Sequence, residues 1–131
     1  MPTICFTTIL VNDMAKALDF YANKLGFEVI KRDHYPHFVL LKHDYPIALH
    51  QVDKVAQIDY PNQTGVILGI AVDDLAASIQ HLSQQGVEFI HQAPQKFLAG
   101  WYAALRDPAG NVRELIQFQP DSPYAPRFDN S

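Results

Sequence analysis

Cysteine is almost absent from this 131-residue chain: Cys5 stands alone, so no disulfide can close within it. That suits a reducing compartment, and Cys5 reads as a small buried apolar residue of the first strand rather than a nucleophile. Basic charge is also short, with 10 Lys and Arg against 14 Asp and Glu and a net charge of −4. A pI near 5.8 leaves no basic footprint for nucleic acid. No apolar run approaches the roughly 20 residues that cross a bilayer. The start, Met1-Pro2-Thr3-Ile4-Cys5-Phe6, lacks the charged and long apolar regions of a signal peptide. The expectation is a cytoplasmic protein with neither membrane nor nucleic acid as partner. Phosphate-binding glycine loops and serine or cysteine nucleophile elbows are missing too. What remains is 48% hydrophobic and 18% charged, an ordinary globular balance. The length fits one compact domain, or two small modules sharing a core.

The order of elements is legible from patterning. Thr3 to Val11 is β-branched and aromatic and predicts a strand, and Asn12-Asp13 offers a helix N-cap. Met14, Ala17, Leu18, Tyr21, Ala22 and Leu25 follow at helical spacing, and Gly26 closes the helix as a C′ glycine. Phe27 to Lys31 predicts the next strand, then a loop at Asp33-His34-Tyr35-Pro36. Two further strands, Phe38 to Leu41 and Ile47 to Val52, complete a βαβββ unit.

The same grammar then returns. Val11-Asn12-Asp13-Met14-Ala15 matches Val72-Asp73-Asp74-Leu75-Ala76 at an offset of 61, and Gly26 matches Gly86 at 60. A repeated strand–helix–strand unit excludes the α-solenoids. The second copy predicts strands at 66–72, 87–91, 101–106 and 112–118 around a helix at 75–85. A linker at 53–65 separates the copies, and Gln92 to Ala99 reads as a long loop. The expectation is one domain over 1–131: module one at about 3–52, module two at about 66–118, and a proline-bearing tail at 119–131. The fold class is α+β, tandem βαβββ modules forming curled mixed sheets.

The last strand carries the chemistry. Asp107-Pro108-Ala109-Gly110-Asn111 reads as a turn feeding Val112-Arg113-Glu114-Leu115-Ile116-Gln117. Inside that apolar strand Glu114 is one carboxylate, costly unless paired, hydrated or bound to a metal. It either faces a cavity or pairs with a local donor such as Arg106 or Arg113. Adjacent strand residues point to opposite faces, which counts against Arg113.

Asp-Met-Ala-Lys-Ala-Leu-Asp-Phe-Tyr-Ala-Asn-Lys-Leu-Gly-Phe-Glu-Val near the start and Asp-Pro-Ala-Gly-Asn-Val-Arg-Glu-Leu-Ile-Gln near the end resemble the vicinal oxygen chelate superfamily. That group holds glyoxalase I, extradiol dioxygenases, fosfomycin-modifying enzymes and bleomycin-resistance proteins, so the likeness fixes a fold and not a function. The resemblance implies sheets curled into half-open cups and a homodimer in which modules of different chains complete each cavity. It also implies metal-ligand positions at Phe6 and Ile67 in the first strands, and at Ala48 and Glu114 in the last strands. Of these four only Glu114 can coordinate, while a catalytic site needs about three protein ligands.

His50, two residues beyond Ala48 on the same strand face, is the alternative second donor; its plainer role is a polar lining residue. His34, His37 and His43 in their loops, and His81 on its helix, read as surface residues. Trp101 and Tyr102 follow Gly100, and alternation puts one of them in the cavity wall. Two functions follow. One is a metal-independent protein that binds a small organic molecule, its cavity walled by Phe6, Thr8, Phe38, Leu40, Ile67 and Trp101 or Tyr102. Glu114 and His50 would orient a polar or cationic group there, and no cofactor is expected. The other is a metal-dependent lyase or dioxygenase with Glu114 and His50 as ligands for Zn, Ni, Fe or Mn. The binding reading needs no catalytic group; on the enzyme reading the catalytic residues are open, with Glu114 and His50 as the candidates.

Overall fold

A computed structural model describes residues 1–126 of the chain. The chain divides into two compact units, Met1–Gln57 with Asp107–Asn111, and Ile58–Arg106 with the residues from Val112 on. Residues 53–57 of the expected linker therefore belong with the first unit and 58–65 with the second.

In the first unit the strands are β1 (Thr7–Val11), β2 (Glu28–His34), β3 (Phe38–Lys42) and β4 (Pro46–Gln51), ordered β1-β4-β3-β2. β1 runs parallel to β4, and the other pairs are antiparallel. The first strand is shorter than its sequence suggests, beginning at Thr7 and leaving residues 1–6 without regular structure, so Cys5 is exposed ahead of the strand rather than buried within it. Between β1 and β2 lies α1 (Met14–Leu18), capped by the Asp13 carboxylate, which accepts the Lys16 N–H at 3.1 Å.

The helix does not stay α. Asp19–Lys24 is π-helical, with the Leu25 N–H bonded to the Phe20 carbonyl at 3.0 Å. The segment buries two consecutive rings, Phe20 and Tyr21, where the helical spacing puts Tyr21 but not Phe20 on the apolar face. Of the six residues that the spacing assigned to that face, Met14, Ala17 and Tyr21 are buried, while Leu18, Ala22 and Leu25 are half-buried. Gly26, at φ +85°, ends the segment, and the Phe27 N–H reaches back to the Tyr21 carbonyl at 2.9 Å.

The helical face of this sheet carries Ile9, Val11, Val39, Leu41, Ile47 and Leu49, all buried. Tyr21, buried with them, donates its hydroxyl to Asp107 Oδ2 at 2.6 Å. The other Asp107 oxygen takes the Ala109 and Asn111 N–H groups at 2.9 Å each, and the Asn111 amide reaches the Leu10 carbonyl at 2.9 Å. The turn that opens the last strand is therefore built around a buried carboxylate.

The second unit repeats the plan. β5 (Leu68–Ala71), β6 (Glu88–Phe89), β7 (Gln95–Phe97), β8 (Gly100–Arg106) and β9 (Val112–Phe118) are ordered β5-β9-β8-β6, with β7 also on β8. β5 is parallel to β9, as β1 is to β4. Between β5 and β6, α2 (Leu75–Gln84) is capped by Asp74 and buries Leu75, Ile79 and Leu82. The duplication extends to side chains. Gln51 Oε1 accepts the Met14 N–H and Gln117 Oε1 the Leu75 N–H, each at 2.8 Å, so each last strand closes the first turn of its helix.

Two differences from the sequence reading stand out. The loop expected over Gln92 to Ala99 contains β7, joined to β8 by the two-residue turn Leu98-Ala99. Gly100 makes that junction possible: at φ +151° a Cβ there would collide with the Gln117 carbonyl oxygen. In the tail, 120–126 forms only turns, and its end, 127–131, lies outside the described residues.

Candidate functional site

Glu114 sits mid-strand in β9, paired across the sheet with Gly69 of β5 and Ala104 of β8. Alternation places it on the face opposite Arg113, Leu115 and Gln117, the face opposite α2, together with Ile116 and Tyr102. Its neighbours Gly69 and Ala104 carry little or no side chain, the Ile116 side chain lies against Gly69, and the carboxylate is half-buried. Arg113 is buried and donates to the Val112 carbonyl at 2.7 Å. Arg106 pairs with Glu88 at 3.4 Å and donates to the Ile58 carbonyl at 3.1 Å. The partner of Glu114 is instead Tyr60, whose hydroxyl donates to Oε2 at 2.9 Å. Burial, then that hydrogen bond and the carboxylate charge, push the Tyr60 hydroxyl well above the usual tyrosine range, so it remains a donor.

Around this pair stand three more rings. His91 lies edge-on to Tyr60 at 5.7 Å and to Tyr102 at 5.4 Å, and Phe97 meets Tyr102 at 5.7 Å. His91 gets there by breaking a strand. β6 stops at Phe89, β7 resumes on the same side of β8 at Gln95, and in the gap His91 Nδ1 accepts the Ala104 N–H at 3.0 Å. With Nδ1 occupied as an acceptor, the neutral ring carries its proton on Nε2.

The wall residues of the first unit also share one face. Cross-strand pairs Thr8↔Ala48, Leu40↔Ala48 and Phe38↔His50 put Thr8, Phe38, Leu40 and His50 on the side away from the buried helical face. Phe6, just ahead of β1, packs edge-on against Phe38 at 6.4 Å, and Phe38 likewise against His50. In the second unit Tyr102 takes the Glu114 face. Trp101, also expected as a candidate wall residue, pairs with Gln117 on the opposite face, with the Lys96 ammonium 4.9 Å over its ring. Trp101 is thus removed from the Glu114 wall by the strict alternation of β8. Ile67, half-buried, immediately precedes β5 as Phe6 precedes β1.

Sequence reasoning missed Tyr60 and His91. Tyr60 lay in a stretch read as linker, and its only signal was an aromatic ring beside a proline. His91 closed a predicted strand and was the one histidine of six to which the sequence reading gave no role.

The pattern for the glyoxalase/bleomycin resistance protein/dioxygenase superfamily matches residues 3–115. The chain belongs to that superfamily. A lactoylglutathione lyase of Neisseria meningitidis is 30% identical over 121 residues, 85% of this chain and 87% of that protein. The antibiotic-binding protein TnmS3 from Streptomyces sp. CB03234 is 25% identical with a TM-score of 0.67, over 91% of this chain and 98% of that one. The fosfomycin resistance protein FosX of Listeria monocytogenes, at 14% identity, shares the fold with a TM-score of 0.74 over 93% and 95% of the two chains.

Within this superfamily member the strand register makes Ala48 and Glu114 equivalent: Ala48 is opposite Thr8 as Glu114 is opposite Gly69, and Thr8 and Gly69 are one repeat apart. The metal positions that the resemblance implies would fall on Phe6, Ala48, Ile67 and Glu114, of which only Glu114 can donate to a metal. Among the described residues no three His, Cys, Asp or Glu side chains are grouped to hold a metal ion. The donors present in one chain do not fit a metal held by three protein ligands. His50, the expected second donor, has the Phe38 ring as its neighbour.

Proposed function

We propose that the protein binds a small organic molecule in a sheet-lined cavity, without a metal, and works as a homodimer. The observation that carries this is the state of Glu114. A carboxylate at the one donor position is engaged by the Tyr60 hydroxyl at 2.9 Å and ringed by half-buried aromatic side chains. Such a surface offers apolar area plus a few fixed polar groups, which is what sequestration of a ligand requires. The likeness to TnmS3, an antibiotic-binding protein, supports the same reading. Ile67 adds apolar surface in the second unit, and in the first unit Phe6, Thr8, Phe38 and Leu40 form the corresponding face, with His50 as its polar contact.

A second reading, a metal-dependent lyase or dioxygenase using Glu114 and His50, draws support from the likeness to a lactoylglutathione lyase. Two donors fall short of three. Elemental analysis of the purified protein, followed by calorimetric titration with Zn²⁺ and Ni²⁺, separates the two. The expected outcome is no stoichiometric metal, together with ligands emerging from a thermal-shift screen of metabolites and antibiotics. One tightly bound metal per chain would establish the second reading instead.

A further inference from the structure

The rings around Glu114 have a chemistry of their own. Tyr60, His91, Tyr102 and Phe97 follow one another edge to face, with interplanar angles of 78°, 89° and 83°. Rings set nearly at right angles turn their faces in different directions, as the walls of a corner do. All four are half-buried, and so is Glu114, so the corner is partly desolvated yet open. Tyr60 occupies one carboxylate oxygen; the described residues place no hydrogen bond on the other. The basic side chains of this sheet are engaged elsewhere. Arg106 holds Glu88 and the Ile58 carbonyl, while Lys96 covers Trp101 and Arg113 is buried, both on the opposite face.

We infer that Glu114 with Tyr60, His91, Tyr102 and Phe97 forms a subsite for an alkylammonium group, so that the ligand carries a cationic amine. The inference rests on the small-molecule-binding reading above and names the ligand class. A half-buried carboxylate attracts a cation and repels an anion. The ring faces attract the same cation through their quadrupoles, most strongly where water is excluded. A neutral apolar group of equal size gains neither. Tyr60 fixes the carboxylate's orientation without neutralising it.

The test uses choline and its uncharged carbon isostere 3,3-dimethylbutan-1-ol, titrated into the full chain at constant ionic strength and followed by amide chemical shifts. Choline is expected to move the Tyr102, Ala104 and Glu114 resonances and to bind about tenfold more tightly than the isostere. Glu114→Gln keeps an acceptor for Tyr60 and should lower choline affinity about tenfold while leaving the isostere unchanged. Tyr102→Leu, which keeps the carboxylate, should also weaken choline and guards against a misfolded Glu114 variant. Equal binding of the two probes, or choline binding indifferent to Glu114→Gln, overturns the ammonium subsite. So does a titration in which choline leaves these resonances still. If in any of those cases the thermal-shift screen still yields a ligand, the small-molecule reading survives; if the screen is empty as well, both fall.

Discussion

At Glu114 the cost of a carboxylate within an apolar strand is met by one hydroxyl, 54 residues away in sequence. The pair has a consequence in alkaline solution. Burial first, and then the contact with Glu114, raise the Tyr60 hydroxyl above the ordinary tyrosine value of about 10. A group raised on folding contributes stability that is complete below its unfolded value and is lost as pH climbs through the folded one, because the unfolded chain sheds the proton first. Thermal unfolding midpoints of the wild type should therefore fall more steeply above pH of about 10 than those of Tyr60→Phe. Parallel slopes for the two proteins would mean that Tyr60 and Glu114 are not coupled. Glu114 was readable in the sequence because a charge in an apolar strand is conspicuous by itself. Tyr60 and His91 were not, since nothing local says that a linker tyrosine will reach β9 or that a histidine will replace a strand's backbone on Ala104.

Among the elements, the ones with strong periodicity were legible: α2 begins and ends within a residue of its pattern, and β9 matches it fully. The departures have local causes. β7 is three residues long with Lys96 at its centre, and its turn, Leu98-Ala99, has none of the Asn-Gly character that marks a two-residue hairpin. The switch from α1 to a π-helical turn leaves no mark in residue spacing, but it delivers the Tyr21 hydroxyl to Asp107. That contact predicts a ranking. Asp107→Ala strips acceptors from Tyr21, Ala109 and Asn111 and should cost about 3 kcal/mol in denaturant unfolding, against about 1 kcal/mol for Tyr21→Phe. Equal costs would show the turn to be held by its backbone alone. At the β7–β8 junction, Gly100→Ala must push its methyl into the Gln117 carbonyl and should cost about 2–4 kcal/mol by the same measurement. A cost near zero would mean that the junction relaxes freely.

For the whole molecule the open question is what covers the sheet face that the first unit's helix leaves bare. Leu10, on β1, points to that face with 47% of its surface exposed, and Phe6 beside it is 39% exposed. Ile4, immediately before them, is 81% exposed. Apolar side chains gathered along one edge strand are the composition of an interface core rather than of a solvated surface. A second copy of the chain is the proposed occupant. A stable pairing needs on the order of 1,200–2,000 Å² buried in total. Multi-angle light scattering at tens of micromolar, a concentration set by micromolar-class affinity, should give twice the 14.8 kDa of one chain. Leu10→Glu then locates the contact. The residue is solvent-facing within one chain, so the variant should fold with an unchanged circular dichroism spectrum, while a carboxylate forced into an apolar interface drives the pair apart. A monomeric wild type removes the dimer altogether. A Leu10→Glu protein that stays dimeric and folded moves the interface off this face.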